Sequence, residues 1–210
     1  MRVRSGANLT LVTEEANLAS TDTEIRINNN VIQRFLKPND VVYFDDGKVV
    51  GIVVEVSETQ VKMEVKIGGV MKGNCAVRFT GGKHGNLDLV TKQDVQDISA
   101  ISQLIIIDYL AVPFCNSGAD PLTVKELLGP AGRQIKILPK IDTLEGVQQF
   151  ENILKQGDGC IFVRNEIQWE LASEKLMLAQ KWAIETANAA AKPIMLQSQL
   201  LESMVAKDQP

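Results

Sequence analysis

Charged and hydroxyl side chains follow three short apolar segments in the second half of the sequence, each at the point where the segment ends. Mg²⁺ prefers hard oxygen ligands and often takes only one or two carboxylates, leaving its other positions to water and phosphate. A lysine beside such a metal is well placed to stabilise charge on a transferring phosphoryl group. The pattern therefore indicates phosphoryl transfer at a divalent cation, with these residues as candidates: Lys140, Asp142, Arg164, Glu166 and Ser198.

A second interpretation of the same residues is structural. Charged residues after a strand are often solvated loop residues, or acids that lie near a helix start and interact with its dipole. That interpretation suits any one of the residues taken alone. Because five of them follow three successive segments, both interpretations stay open at this point.

The elements that must position these residues alternate between strands and helices. Such alternation is typical of βαβ units with a parallel sheet. Parallel sheets of this kind place ligand chemistry at the carboxyl ends of their strands. The predicted strands are Leu104–Phe114, Ile135–Pro139, Gly159–Val163 and Pro193–Leu196, the predicted helices are Asp120–Leu128, Leu144–Lys155 and Ser173–Ala191, and a last helix begins at Leu200 or Leu201.

The first part of the chain has a different pattern and predicts a small all-β domain over residues 1–86. Two β-rich runs surround the turn Asp45–Gly47, which is typical of a hairpin. The segment Gln60–Ile67 alternates, with Val61, Met63, Val65 and Ile67 on one face. Further strands are predicted over Asn8–Val12 and Thr23–Asn28, and a polar turn over Asn28–Asn30.

Composition limits the classes of function. The 210 residues carry a net charge of −4, which argues against a broad electrostatic grip on nucleic acid or an anionic membrane. No apolar run reaches the roughly 18–20 residues needed to cross a bilayer, and the chain start has no apolar signal core, so a cytoplasmic location is expected. The three cysteines are predicted to be reduced and mostly buried, and the one histidine, His84, is predicted to be a solvated loop residue.

Six ordered motifs resemble the pyruvate kinase family across nearly all of the chain. Residues Val42–Gly47 resemble the V-Y-x-D-D-G turn of the family's lid domain, and Asp94–Ile98 resembles K-D-x-x-D-L, where the chain re-enters the barrel. The others are Ile137–Val147 (I-x-x-K-I-E-N-x-E-G), Gly159–Glu166 (D-G-I-M-V-A-R-G-D-L-G), Ala179–Lys181 with Ala191–Ile194 (A-Q-K and G-K-P-V), and Gln199–Met204 (Q-M-L-E-S-M).

The resemblance implies a glycolytic phosphotransferase that acts on phosphoenolpyruvate and ADP, with ATP as product, Mg²⁺ or Mn²⁺ as cofactor and usually K⁺. It implies that Lys140 neutralises the transferring phosphoryl group and that Asp142 and Glu166 bind the metal. Ser198 would act on the substrate and in enolate protonation. The implied substrate-binding residues are Arg164, Asn165, Glu166 and Ser198.

Several residues depart from the family pattern. Asp142 stands where the family has glutamate and Glu166 where it has aspartate, so each set of oxygens moves by about one carbon–carbon bond, and Mg²⁺ tolerates altered geometry poorly. Asn165 replaces a glycine whose backbone lies close to substrate. Gln197 replaces an alanine, and Pro113 and Asn116 replace a serine and an arginine.

The resemblance therefore predicts a partial TIM-type (β/α) barrel of about four strands over residues 87–210, preceded by the small all-β lid domain. The K⁺ ligands and the substrate arginine of the family are not found in this sequence. The family barrel has eight strands and four are predicted here, which leaves two open sheet edges, so a homo- or hetero-oligomer, or a missing remainder of the chain, is expected. The expected function is that of a pyruvate kinase-like phosphotransferase, inactive as this chain alone. The alternatives are a non-catalytic relative with a binding, structural or hetero-oligomer role, and a barrel enzyme for another phosphorylated substrate.

Overall fold

The protein is described from a computed structural model, in which the described residues are 1–13, 19–27, 32–79, 89–102, 107–198, 200–201 and 204–205. The chain divides into two compact units, Met1–Lys83 and His84–Pro210. The sequence boundary predicted between residues 86 and 87 lies outside the described residues and stays a prediction. The turn predicted over Asn28–Asn30, the loop residue His84 and most of the predicted last helix lie outside them as well.

The first unit is an all-β structure. One sheet has six strands in the order β3-β2-β6-β5-β4-β8, and β1 pairs with β7 in a separate antiparallel ribbon. Within the six-stranded sheet, β2 and β3 pair in parallel and the other neighbours pair antiparallel. The strands are β1 (Arg2–Val3), β2 (Asn8–Val12), β3 (Glu24–Arg26), β4 (Val41–Phe44), β5 (Val49–Val56), β6 (Gln60–Ile67), β7 (Gly69–Val70) and β8 (Val77–Phe79), with a 3₁₀ turn at Ile32–Arg34.

The hairpin predicted around Asp45–Gly47 is confirmed. Strands β4 and β5 pair from Val41↔Ile52 to Phe44↔Val49, and the turn between them has three successive left-handed residues, with φ of 48°, 56° and 80°. Aspartate tolerates this region better than most residues, and glycine adopts it freely. The residue types of the turn therefore suit its backbone.

The alternation predicted for β6 holds for three of its four apolar residues. Val61, Met63 and Val65 are buried, but Ile67 is 54% exposed. The pairing with β5 steps from Gly51↔Val65 to Val50↔Ile67, so β6 carries one extra residue at this point. Such a bulge reverses the face on which the following residue lies, which explains the exposure of Ile67.

The second unit is a curled four-stranded parallel sheet covered by helices, a partial β/α barrel as the sequence predicted. Its strand order is β12-β11-β10-β9, so each strand pairs with the next strand along the chain. Its elements are α1 (Lys92–Ser102), β9 (Tyr109–Val112), α2 (Ala119–Leu128), a 3₁₀ turn (Pro130–Gly132), β10 (Lys136–Ile141), α3 (Leu144–Gln148), α4 (Phe150–Gln156), β11 (Cys160–Val163), α5 (Arg164–Ile167), α6 (Ser173–Ala189) and β12 (Ile194–Gln197).

The two faces of this sheet have different roles. Side chains alternate along a strand, so Ile137 and Ile141 of β10 share one face with Cys160 and Phe162 of β11. These four are fully buried in one core with the helices, where the ring of Phe150 lies 5.3 Å from that of Trp182. Lys140 alternates with Ile141 and therefore belongs to the opposite face.

One helical prediction is corrected. The helix predicted over Leu144–Lys155 is two helices, because the backbone leaves the helical region at Gln149 (φ −99°, ψ 12°). Gly146 lies so close to the Cys115 carbonyl that an added Cβ would be 2.8 Å from its oxygen. On the other side of Gln149, Phe150 is buried in the core. The break at Gln149 lies between these two packed residues. The polar residues after β11 form a short helix, Arg164–Ile167.

Two of the three cysteines are buried, as predicted. Cys115 and Cys160 are fully buried free thiols, and burial raises the pKa of each to about 12. Cys75 is half-buried. Within the described residues, no helix combines the length and the apolar character needed to cross a membrane.

A lysine closes the carboxyl end of α4. The Lys192 ammonium donates to the carbonyls of Leu154, Lys155 and Gly157 at 2.7, 2.9 and 2.8 Å, so all three of its donors have partners. The last carbonyls of a helix have no partner within it, and a cation there also interacts favourably with the helix dipole. This contact ties the segment before β12 to the segment before β11.

We expect Lys192→Met to lower the free energy of unfolding by roughly 1–3 kcal/mol, because three carbonyls lose a charged donor. Urea unfolding of both proteins measures the difference. Lys181→Met, at an exposed lysine of α6, is the matched control and should change stability little. Equal losses in the two variants would contradict a capping role for Lys192.

Candidate functional site

The register of the sheet brings the predicted site residues to one rim. Strand β10 pairs with β11 as Ile141↔Phe162, and β11 pairs with β12 as Val163↔Gln197. Parallel strands in this register end at the same level, so Asp142, Arg164 and Ser198 each directly follow a strand at the carboxyl rim. Lys140 lies one residue inside the end of β10, since the strand runs to Ile141 and not to Pro139 as predicted.

Asp142 is the most deeply buried charged residue of the rim. It is 5% exposed, and the backbone N–H of Phe114 donates to its two carboxylate oxygens at 3.0 and 3.2 Å. Phe114 follows β9 and has a φ of 56°, a left-handed conformation uncommon for a phenylalanine. The turn after β9 thus holds the carboxylate that ends β10.

The ionisation of Asp142 depends on its neighbours. Burial is the largest effect and raises the pKa of Asp142, the Phe114 hydrogen bond and the positive charge of Lys140 lower it, and the negative charge of Glu166 raises it. Together these effects bring the pKa of Asp142 to about 6. Lys140 and Glu166 therefore each lie within electrostatic range of Asp142. The structure brings together the lysine and both carboxylates that the sequence singled out.

Glu166 lies in the short helix α5, next to a polar neighbour. The Asn165 amide donates to the Glu166 carboxylate at 3.2 Å. Two buried atoms beside it, Arg164 Nε and Asn165 Oδ1, have no hydrogen-bond partner among the described residues. Buried polar atoms without partners are costly, so this part of the rim is suited to binding a polar molecule.

Ser198 lies at the same rim, directly after β12. It is half-buried and has a φ of 77°, so the chain turns sharply as it leaves the sheet. Within the described residues, neither Ser198 nor Arg164 is hydrogen-bonded to Asp142. The rim therefore contains a coupled group, Lys140, Asp142 and Glu166 with Asn165, and two further polar residues that share its level.

A hydrogen-bond network that the sequence did not predict supports the turn after Asp142. The Thr143 hydroxyl donates to the Asn116 side-chain oxygen and accepts from the Gly146 N–H at 3.0 Å. Asp120 accepts from the backbone N–H groups of Asn116 and Ser117 at 2.7 and 2.8 Å. A threonine before a helical pattern is a helix-start signal, and it could have identified Thr143.

Glu170 is a second residue that the sequence did not indicate. Its carboxylate accepts a hydrogen bond of 2.8 Å from the backbone N–H of Leu144, across 26 residues of sequence. The contact joins the segment after β11 to the start of α3. No local sequence pattern predicts a hydrogen bond between residues so far apart in the chain.

The donor set suits a hard divalent cation held with the help of water or phosphate. Asp142 and Glu166 offer carboxylate oxygens whose mutual repulsion a cation would relieve. Among the described residues, no group of three or more His, Cys, Asp or Glu side chains could hold a metal ion.

Comparisons with known proteins agree on one family. The family model described as "Pyruvate kinase, barrel domain" matches residues 1–210. "Pyruvate kinase PKLR" of Rattus norvegicus is 33% identical over 179 residues, which are 85% of this chain and 31% of the relative.

Two further relatives extend the match. "Pyruvate kinase" of Thermotoga maritima is 26% identical and covers 98% of this chain, and "Pyruvate kinase, cytosolic isozyme" of Glycine max is 26% identical and covers all of it. The chain spans 43% and 41% of the length of these two relatives.

The raised pKa of Asp142 predicts a pH dependence of stability in metal-free buffer. The folded protein keeps the Asp142 proton up to a pH of about 6, whereas the unfolded chain releases it near 3.8. Proton binding at Asp142 therefore stabilises the folded state, and this contribution is fully present below pH 3.8 and is lost as the pH rises through 6. We expect Asp142→Asn, which stays neutral, to be more stable than wild type at neutral pH by up to about 3 kcal/mol. Chemical unfolding between pH 4 and 8 measures it, and a difference that does not change with pH would contradict the burial effect.

Proposed function

Because this chain belongs to the pyruvate kinase family, we propose that the carboxyl rim of its sheet is a phosphoryl-transfer site of that type. The observation that supports the proposal is the register of β10, β11 and β12, whose carboxyl ends lie at one rim with Lys140 and Asp142 at the end of β10 and Glu166 in the helix after β11. A lysine and a pair of carboxylates are the groups needed to bind a divalent cation and a phosphate together. The chain spans 31–43% of the length of the three relatives described above. The activity of the complete enzymes is therefore proposed for this chain and does not follow from its family membership alone.

Each residue of the rim has a separate role in the proposal. Asp142 and Glu166 hold Mg²⁺ or Mn²⁺, which when bound neutralises negative charge on the phosphate of the substrate. The ammonium of Lys140 faces the transferring phosphoryl group and stabilises the charge that develops on it. Phosphoryl transfer requires positioning and electrostatic stabilisation more than covalent work by the protein, so these charges account for most of the chemistry.

The remaining residues contact the substrate. We assign phosphoenolpyruvate to the rim beside Arg164, Asn165 and Ser198, with ADP as the acceptor and ATP as the product. The buried Arg164 Nε and Asn165 Oδ1 would find partners in a bound carboxylate and its water. Ser198 is assigned to the substrate side of the rim and to protonation of the enolate. A cytoplasmic location is proposed with this function, in line with the relative named as a cytosolic isozyme.

Binding without turnover is the outcome proposed for this chain by itself. Asp142 is one carbon shorter than the glutamate of the family, Glu166 is one carbon longer than the aspartate, and Mg²⁺ demands near-ideal geometry. The Asn165 side chain occupies space that a glycine leaves open. The loss of one preorganised electrostatic contact typically costs about 10²–10³ in rate, so several altered contacts would remove measurable activity.

A non-catalytic role is the second candidate. It is favoured by two side chains that stand at altered positions and already have partners within the chain. Asn116 accepts from Thr143, and Asn165 donates to Glu166. In this case the rim would bind a ligand, or the chain would serve as a structural or hetero-oligomer subunit, without transferring phosphate.

We expect the chain to bind Mn²⁺ through the carboxylate pair. Asp142→Asn and Glu166→Gln should each weaken binding on the order of tenfold or more, since each removes one charged ligand. Titration followed by electron paramagnetic resonance of free Mn²⁺ measures this. Glu151→Gln, at an exposed glutamate of α4, is the matched control. Mn²⁺ affinity that is equal in all four proteins would rule out the proposed metal site.

We also expect no ATP formation from phosphoenolpyruvate and ADP by the chain alone, with saturating Mg²⁺ and K⁺. A coupled assay of the wild type and of Lys140→Met measures this. Turnover in the wild type that Lys140→Met abolishes would show that the altered site is catalytic and would remove the second candidate. Equal absence of turnover, together with Mn²⁺ binding, is the expected result.

A further inference from the structure

We propose that Glu170 is a positioning residue that fixes the spacing of the two carboxylates Asp142 and Glu166. The inference extends the proposed function, because it concerns the same pair of carboxylates. Its starting point is the 2.8 Å hydrogen bond from the Leu144 N–H to the Glu170 carboxylate. Glu170 lies outside the motif residues assigned to the metal and the substrate.

The start of α3 explains why an acceptor is needed at this point. The first N–H groups of a helix have no partner within the helix. Thr143 accepts from the Gly146 N–H, and Glu170 accepts from the Leu144 N–H. The second acceptor comes from a different βα unit, and its charge makes the hydrogen bond stronger than one to a neutral group.

Glu170 is connected to Glu166 by a short backbone segment with two internal hydrogen bonds. The Trp169 N–H donates to the Glu166 carbonyl at 3.2 Å, and the Glu170 N–H donates to the Ile167 carbonyl at 3.0 Å. Ile167 is fully buried in the core. A hydrogen-bonded turn that contains a buried residue therefore connects Glu170 to Glu166, and a shift of one is expected to shift the other.

The contact closes a ring around the site. The pairing of β10 with β11 ends at Ile141↔Phe162, and beyond this point the two segments separate into α3 and α5. The hydrogen bond from Leu144 to Glu170 joins them again, two residues after Asp142 and four residues after Glu166. The two carboxylates thus lie on opposite arms of a ring that is closed by strand pairing at one end and by Glu170 at the other.

The ring distinguishes a positioning residue from a local helix cap. If Glu170 only caps α3, its loss should affect the Leu144 N–H and nothing beyond the helix start. If it holds the ring, its loss should also loosen Asp142, whose carboxylate accepts from the Phe114 N–H. Phe114 belongs to the turn after β9, and its N–H serves as a remote reporter on Asp142.

Residue-resolved amide hydrogen exchange of the full chain tests the inference without any metal. We expect Glu170→Ala and Glu170→Asp to increase exchange at both Leu144 and Phe114 by about tenfold or more, since a lost net hydrogen bond of about 1.4 kcal/mol corresponds to that factor. Glu170→Gln keeps an acceptor of the same reach and should retain most of the protection. Glu151→Ala, at an exposed glutamate in the first turn of α4, should change neither amide.

Two exchange results would overturn the inference. Unchanged exchange at Leu144 in Glu170→Ala and Glu170→Asp would show that the contact does not hold the helix start. Increased exchange at Leu144 with unchanged exchange at Phe114 would show a local cap. Glu170→Asp keeps the charge and shortens the side chain by one methylene, so it tests the reach of the contact should Glu170→Ala fail to fold.

Mn²⁺ affinity supplies a separate reading. Residues that orient metal ligands typically contribute 10–100-fold to affinity, so we expect a loss of about tenfold in Glu170→Ala and recovery in Glu170→Gln. Equal affinity in wild type and Glu170→Ala would overturn the positioning role. Absence of Mn²⁺ binding in the wild type would overturn the proposed function, and the exchange at Phe114 would still decide whether Glu170 positions Asp142.

Discussion

The parallel register of β9 to β12 is the constraint on which the candidate site depends. Because these strands run in one direction and pair in sequence order, their carboxyl ends meet at one rim. Residues that are more than 20 positions apart in the chain thereby become neighbours. The buried face of the sheet, with Ile137 and Phe162 in its core, fixes which side chains point away from the helices and toward the rim.

The ionised form of Asp142 is disfavoured by burial and favoured by the positive charge of Lys140, and these two effects are central to the candidate site. A carboxylate that is 5% exposed has a raised pKa, and a second negative charge at Glu166 adds to the effect. Lys140 and the Phe114 N–H offset only part of it. A protein gains no stability from such an arrangement, which is why buried and mutually repelling carboxylates are associated with binding or catalysis.

The sequence predicts the parts of this structure that depend on local patterns. The hairpin around Asp45–Gly47, the four parallel strands and the long helix that begins at Ser173 all have regular patterns, and they are present. The rim residues followed from the rule that parallel strands end together, although their roles remain proposals.

The features that were missed depend on contacts distant in sequence. The bulge that exposes Ile67 comes from the pairing of two strands, and the break at Gln149 lies between Gly146, which packs on the turn after β9, and the buried Phe150. Phe114 and Glu170 reach across 28 and 26 residues to the neighbourhood of Asp142. Apolar periodicity carries no information about such bonds, since each joins a backbone N–H to a side chain.

The contact between Phe150 and Trp182 has a practical consequence. The sequence has two tryptophans, Trp169 and Trp182, and both lie in the second unit. Selective excitation of tryptophan therefore yields an emission signal from the partial barrel alone, with the β unit optically silent. Trp182 lies against a core phenylalanine, whereas Trp169 lies in the turn between Glu166 and Glu170. The molecule thus contains one partly exposed fluorophore that contacts its core and another beside its candidate site.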